Sequence, residues 1–324
     1  MDCAVKFTSI FGEHIENFLK EKRSLGFIYT TEEAILLRFD KYCSEKYLDD
    51  IQIDREFLHD WCSLGQNEKL ANLNKRITAV RQFLLYMQSI GVREYLPATQ
   101  GRPEIVVPHI FTAQEYLDFF ETVDTYLPQK QPHCYRMANE YKVLFRIYAC
   151  CGMRNTEAAG IAMTCVDLEE GVWTILNSKG AKDRLVYLPD DLAELCRSYR
   201  TYLEHELGFS SPWMFPGKDP QFPLPNTTVD SVFNRFWSMT PHAACCNNKP
   251  TVHDFRFTYI TNRINLWASQ GVNTNTMLPY LSAQCGHKSM KETYYYYHTS
   301  KELFDSIHSK DKLSAEIIPE ANYE

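Results

Sequence analysis

Six side chains in the last two-thirds of the sequence have the chemistry to handle a phosphodiester. Arg154 lies in Gly152-Met153-Arg154-Asn155-Thr156-Glu157, where one predicted helix stops and the next begins. Lys179 lies in the polar loop Ser178-Lys179-Gly180-Ala181-Lys182-Asp183-Arg184. His253 and Arg256 form a His-x-x-Arg whose spacing in a first helical turn puts both on one face. His287 follows Gly286, and nine residues later comes Tyr296, inside the run Tyr294-Tyr295-Tyr296-Tyr297. Guanidinium groups stay charged at any working pH and fork onto the non-bridging oxygens of a phosphate. Histidine carries protons near neutrality. A free phenol, with a pKa of ~10, attacks only when a base and a positive field assist it. No Asp/Glu cluster suited to Mg²⁺ accompanies these groups, so the set reads as metal-free and cofactor-free chemistry. Each motif alone has an ordinary reading: a helix-cap arginine, a solvated lysine, a chance His-x-x-Arg, a tyrosine run packed in a helix. All four in one order, each in a fitting context, call for more.

The elements that must position these groups are mostly helical. Leu73, Ile77, Val80, Leu84 and Met87 recur at 3.6-residue spacing and predict a helix over 70–90 stopped by Gly91. Earlier helices are expected at about 9–24 and 31–47, so residues 1–97 read as all helix. Pro97-Ala98-Thr99-Gln100-Gly101-Arg102-Pro103 reads as a linker. Thr112 and Glu115 form a capping box for a helix reaching about Tyr126. A further helix is expected from about Asn139 to Cys151, and a short one from Asn155. The β-rich runs 172–176 and 184–188 flank the lysine loop and predict a hairpin. Helices follow near Asp191 and Val229, after a Thr251 N-cap, around the tyrosines, and weakly over 302–314.

At 324 residues, two domains are expected. No apolar run approaches the ~20 residues that span a bilayer, and the first residues lack a signal-peptide pattern. The eleven cysteines include two adjacent pairs, Cys150-Cys151 and Cys245-Cys246, a spacing that suits neither a disulfide framework nor a zinc site. They read as reduced thiols of a cytoplasmic protein without membrane partners. A metal-binding protein using His242, Cys245, Cys246 and His253 is a rival that adjacent cysteines serve poorly. The net charge of −7 weighs mildly against a nucleic-acid partner, but Glu316, Glu320 and Glu324 concentrate acid at the C-terminus. Candidate DNA contacts are Lys20, Lys22 and Arg23, which also suit a helix C-terminus, then Lys75, Arg76 and Arg81, and Lys182 and Arg184 beside the lysine loop.

In order and context the motifs resemble the tyrosine recombinase family, also called phage integrases. The likeness is strong from about 139 to 300 and weaker before, where 74–84 is similar to the family's core-binding domain. It implies a mainly α fold: a helical core-binding domain over 1–97, a linker over 98–109, and a mostly helical catalytic domain with a small antiparallel β-hairpin or sheet over 110–300. Residues 301–324 would dock on a neighbouring protomer or pack on their own domain. Position by position, the resemblance makes Arg154 and Arg256 the phosphate-stabilising arginines and Glu157 the support of the first. It makes His253 the proton carrier, Lys179 the acid for the leaving 5′ oxygen and His287 a phosphate donor. Tyr296 is the nucleophile by the family's nine-residue gap, with Tyr295 and Tyr297 as register alternatives. Phe257 stands where the family often has a second histidine, and Cys285 where leucine commonly precedes Gly-His. The implied function is site-specific recombination through a 3′-phosphotyrosine and a Holliday junction. The implied partners are double-stranded DNA with specific core sites and a homotetramer assembled on paired sites, acting at the nucleoid. A type IB topoisomerase shares the chemistry, though the short chain and motif details favour recombinase. A non-catalytic DNA-binding regulator of the same fold is the alternative.

Overall fold

The computed structural model describes residues 7–46, 53–102, 107–178, 182–246 and 248–297. The chain divides into two compact units, one up to Val106 and one from Val107.

The first unit is built from α1 (Gly12–Ser24), α2 (Thr30–Glu45), the short α3 (Phe57–Trp61) and α4 (Leu70–Ser89). The predicted stripe of α4 is its buried face: Leu73, Ile77, Val80, Leu84 and Met87 are all fully buried. Phe11, Phe18, Phe39 and Phe83 meet there edge to face, the geometry that ring quadrupoles prefer. The sequence pattern does not disclose α3. The start of the expected linker belongs to this unit, since Asn74 Nδ2 donates to Gln100 O and Arg81 Nη1 to Pro97 O.

The second unit contains α5 (Ala113–Thr125), α6 (Pro132–Cys151), α7 (Asn155–Ala159), β1 (Val166–Asp167), β2 (Val172–Ser178) and β3 (Lys182–Tyr187). It continues with α8 (Asp190–Leu207), α9 (Asn226–Met239), α10 (Val252–Ser269), α11 (Thr274–Cys285) and α12 (Met290–Tyr297). The capping box at Thr112 and Glu115 is present, as is one at Thr251 closed by Asp254. Asp254 Oδ1 also accepts the His109 N–H, and Thr258 Oγ1 the Phe111 N–H, which fastens the entering chain to the first turns of α10. α6 starts seven residues before the expected Asn139, because Pro132 at its first position suits a helix start, where no intrahelical N–H is needed. It is the central helix, with Leu144, Phe145, Ile147 and Tyr148 fully buried. The predicted hairpin is part of a three-stranded antiparallel sheet in the order β1-β2-β3. Trp173 pairs with Val186 and Ile175 with Arg184, so these four side chains share the inner face while Leu185 and Tyr187 face outward. Neither β1 nor α11 was expected. The helix expected over 302–314 lies outside the described residues. Among the described residues, no helix is long and apolar enough to cross a membrane and no cluster suits a metal. His242 instead bonds to Asp118, at 2.6 Å.

Candidate active site

The site is organised around the C-terminus of α11. A helix end leaves carbonyls without intrahelical donors and carries partial negative charge. Here Gly286 adopts φ +66° and closes the helix: its N–H bonds to Ala283 O, and the His287 N–H to Ser282 O. This Schellman pattern satisfies two carbonyls and leaves those of Gln284, Cys285 and Gly286. Each receives an arginine. Arg184 Nε donates to Gln284 O at 2.8 Å, Arg256 Nη2 to Cys285 O at 2.6 Å, and Arg154 Nη2 to Gly286 O at 2.8 Å. A Cβ at 286 would lie 2.9 Å from the Arg184 guanidinium, so a side chain there would displace Arg184.

Arg154 and Arg256 reach this point from different elements. Arg154 precedes α7, just after the left-handed Gly152 that ends α6. Arg256 lies one turn into α10, is 2% exposed, and also donates through Nη1 to Gly152 O at 2.8 Å. One guanidinium therefore bridges the ends of α6 and α11, at Gly152 O and Cys285 O. Gly152 packs so closely that a Cβ there would lie 2.4 Å from Tyr259 Cδ1. The His-x-x-Arg spacing places His253 on the exposed start of α10, its ring edge-on to Phe257.

Glu157 is the carboxylate among these cations. It accepts from the Arg154 N–H and Arg154 Nη1, and both Nη atoms of Arg184 fork onto it at 3.0 and 2.7 Å. Its side chain is 8% exposed. Burial disfavours its charge, yet hydrogen bonds and charge from Arg184, then Arg154, overcome burial and lower its pKa to about 2. The opposite happens at His287. Burial, then the charges of Arg256, Arg154 and Arg184, then His253, lower its pKa to about 3, so the ring is neutral in any ordinary buffer. Thr293, fully buried on α12, places Oγ1 2.7 Å from His287 Nδ1 and ties the tyrosine-bearing helix to the arginines.

The lowered pKa values of Glu157 and His287 have the same sign for stability. Each group binds fewer protons folded than unfolded, so its contribution is complete above its ordinary pKa and is lost as the pH falls through the folded value. Acidification should destabilise this unit from about pH 6.5 downward through His287, and from 4.5 toward 2 through Glu157. At ~1.4 kcal/mol for each tenfold change in proton affinity, the Glu157 contribution is on the order of 3 kcal/mol. Thermal melts from pH 7 to 3 should show Glu157→Gln flattening the acid limb below 4.5. A variant limb as steep as that of wild type counts against this account.

The structure therefore brings Arg154, Arg256, Glu157 and His287 together, with His253 at the rim. Lys179 lies outside the described residues. Tyr296 lies on α12, whose backbone alone is described there. Two expected DNA contacts are instead internal. Arg184 is on the inner face of β3, 7% exposed and engaged with Glu157 and Gln284. Arg76 bonds to Glu68 and to the carbonyls of Trp61 and Ser63, and lies over the Trp61 ring. Both guanidiniums are taken up by several acceptors within their own unit. Arg81 spends one Nη on Pro97 O and Arg23 pairs with Glu33 at 2.6 Å. Lys22 lies over Phe18 and near Glu21, whereas Lys20 and Lys75 are exposed. The side chain of Lys182 lies outside the described residues. A cleft of about 530 Å³ opens beside Arg154 and Glu157, floored by Ile161, Cys165 and Ile175.

Comparison with known proteins bears on this arrangement. The model of the phage integrase family matches residues 110–302. A Sinorhizobium fredii protein named as an integrase/recombinase, y4rB, is 24% identical over 91% of this chain and 95% of its own length. A tyrosine recombinase of Pseudothermotoga lettingae is 25% identical over 73% of each chain. Among solved structures, XerH site-specific recombinase bound to palindromic difH substrate superposes with a TM-score of 0.60 at 20% identity, covering 85% of this chain and 77% of that one. A lambda integrase dimer bound to a COC′ core site gives 0.59 at 16% identity, covering 88% and 94%. At these identities the superpositions speak for the fold.

Proposed function

Since this chain belongs to the phage integrase family of tyrosine recombinases and is a site-specific DNA recombinase, we propose that it cleaves and rejoins double-stranded DNA through a 3′-phosphotyrosine at Tyr296. The observation that carries this reading is the set of three guanidiniums on one helix end against a single carboxylate. A phosphodiester repels nucleophiles by its own charge, and enzymes without a metal offset that charge with fixed cations. Arg154 and Arg256 stabilise the charge that develops on the non-bridging oxygens, Arg256 from a guanidinium fixed by its fork to Gly152 O and Cys285 O. Neutral His287 donates a hydrogen bond to the phosphate. His253 takes the phenolic proton, and Lys179 returns one to the leaving 5′ oxygen. The phosphotyrosine conserves the bond energy, so rejoining needs no nucleotide cofactor and the same groups run it in reverse. Strand exchange then proceeds two strands at a time through a Holliday junction within a homotetramer on paired core sites.

The test is a nicked suicide substrate drawn from DNA flanking the gene, incubated with the protein in EDTA. A covalent adduct, mapped by peptide sequencing to the helix of 290–297, is the expected result. Specific binding without any adduct would establish a non-catalytic DNA-binding regulator instead.

A further inference from the structure

Arg184 is not among the groups that the reaction above uses, yet its guanidinium is bonded on every nitrogen within the site. It extends from the inner face of β3, the strand that follows the lysine loop, and engages two other elements at once. Its Nη atoms fork onto both oxygens of Glu157 at the start of α7, and its Nε donates to Gln284 O at the end of α11. Glu157 Oε1 is shared between Arg154 and Arg184, and so is Oε2.

We propose that Arg184 is a positioning residue for DNA cleavage: by taking up the charge of Glu157 it leaves the charge of Arg154 available to the scissile phosphate. This rests on the recombinase reading above. The reasoning is one of charge balance at short range. With Glu157 as its sole partner, Arg154 would form a neutral, partly buried ion pair and offer a phosphate little field. With Arg184 present, two guanidiniums share one carboxylate and one positive charge remains, on the arginine with the more exposed side chain, 19% against 7%. Glu157 orients Arg154 without cancelling it. The same fork also ties the lysine strand to the arginine centre, because the Arg184 side chain hydrogen-bonds from β3 to both α7 and the end of α11.

Four proteins separate this from the other roles Arg184 could have: wild type, Arg184→Gln, Glu157→Gln and the double variant, with Arg184→Lys as a fifth that keeps the charge. Single-turnover cleavage of the suicide substrate, DNA affinity as a function of salt, and thermal melting are measured for each. Arg184→Gln should slow cleavage about 100-fold, on the scale of losing one positioned donor, with affinity and its salt dependence near those of wild type. Adding Glu157→Gln should then restore cleavage by about tenfold or more, since the charge on Arg154 returns when its counter-ion is removed. Arg184→Lys should cleave faster than Arg184→Gln. A double variant no faster than Arg184→Gln, though folded, overturns the proposal in favour of simple structural support. A lower affinity with a salt slope reduced by ~1 in both Arg184→Gln backgrounds makes Arg184 a phosphate contact and also overturns it. Wild type that forms no adduct removes the recombinase reading itself, whereas wild-type cleavage with no rescue removes only the role of Arg184.

Discussion

Phenylalanine at 296 should eliminate the covalent protein–DNA adduct, lowering cleavage by at least about 10³-fold while leaving DNA affinity within about twofold, because in the proposed reaction the missing hydroxyl oxygen bonds to phosphorus. Four consecutive tyrosines make the choice of nucleophile a question of helix geometry. Successive residues turn by about 100°, so one face admits only part of the run. Thr293 marks the inward face of α12, being fully buried and bonded to His287, whereas Tyr294 is 43% exposed. Positions 296 and 297 follow Thr293 by three and four residues, the spacing of a shared face. Tyr296 also satisfies the nine-residue interval from His287. The measurement is a gel-shift of the denatured adduct for Tyr295→Phe, Tyr296→Phe and Tyr297→Phe side by side. An adduct that survives in Tyr296→Phe and disappears in Tyr297→Phe would move the nucleophile by one position.

The second large effect is expected at Arg256. Removing it as Arg256→Ala should cost cleavage about 10²–10³-fold, the scale of losing a preorganised charged donor. It also strands two buried carbonyls, Gly152 O and Cys285 O. Leaving a buried acceptor unsatisfied costs about 1–3 kcal/mol, so the alanine variant should melt at a lower temperature as well. Arg256→Lys separates the two consequences. Its ammonium keeps the charge but cannot fork to both carbonyls. Cleavage should remain depressed by about tenfold or more, with a smaller loss of thermal stability than in alanine. A lysine variant that cleaves like wild type would mean that field alone, not the fork, is what Arg256 provides.

How far the amino-acid order alone discloses this site depends on the kind of signal each residue carries. Arg154 and Arg256 carry local signals, a glycine before a helix start and an i, i+3 pair. His287 stands out only through Gly-His and its interval to the tyrosines, since the helix before it is not predicted. The α4 stripe, the Thr112 capping box and the Thr251 N-cap are legible for the same local reason, while the closure of a second box by Asp254 comes from the structure. Arg184 passes for a DNA contact because Arg184-Leu185-Val186-Tyr187-Leu188 has apolar residues in both parities, so alternation alone cannot say which set faces inward. Pairing with β2 settles it, since Trp173 and Ile175 on the core side bring Val186 and Arg184 with them. α11 escapes because Met277 and Tyr280 blur the stripe of Leu278, Leu281 and Cys285, and Pro279 in its middle reads as a helix breaker. β1 has two residues, too few for any pattern. Arg76 looks like a nucleic-acid contact by type and neighbourhood, and only the packing discloses its engagement with Trp61 and Glu68.

The arginines at the end of α11 are held by main-chain oxygens, and a main-chain oxygen has no residue identity. Mutation at position 284 keeps the contact to Arg184 whatever side chain is present, so long as the helix persists, and gives up only the bond from the Gln284 amide to Tyr259 OH. Position 286 has less latitude, because its left-handed backbone and the guanidinium 2.9 Å from a Cβ both favour glycine. A saturation library over 284–286 should return a broad set of active variants at the first position and chiefly glycine at the last. The segment that frames the reaction centre thus drifts in composition where only its carbonyl is used, and holds where the side chain is buried, at Cys285, or the backbone left-handed, at Gly286.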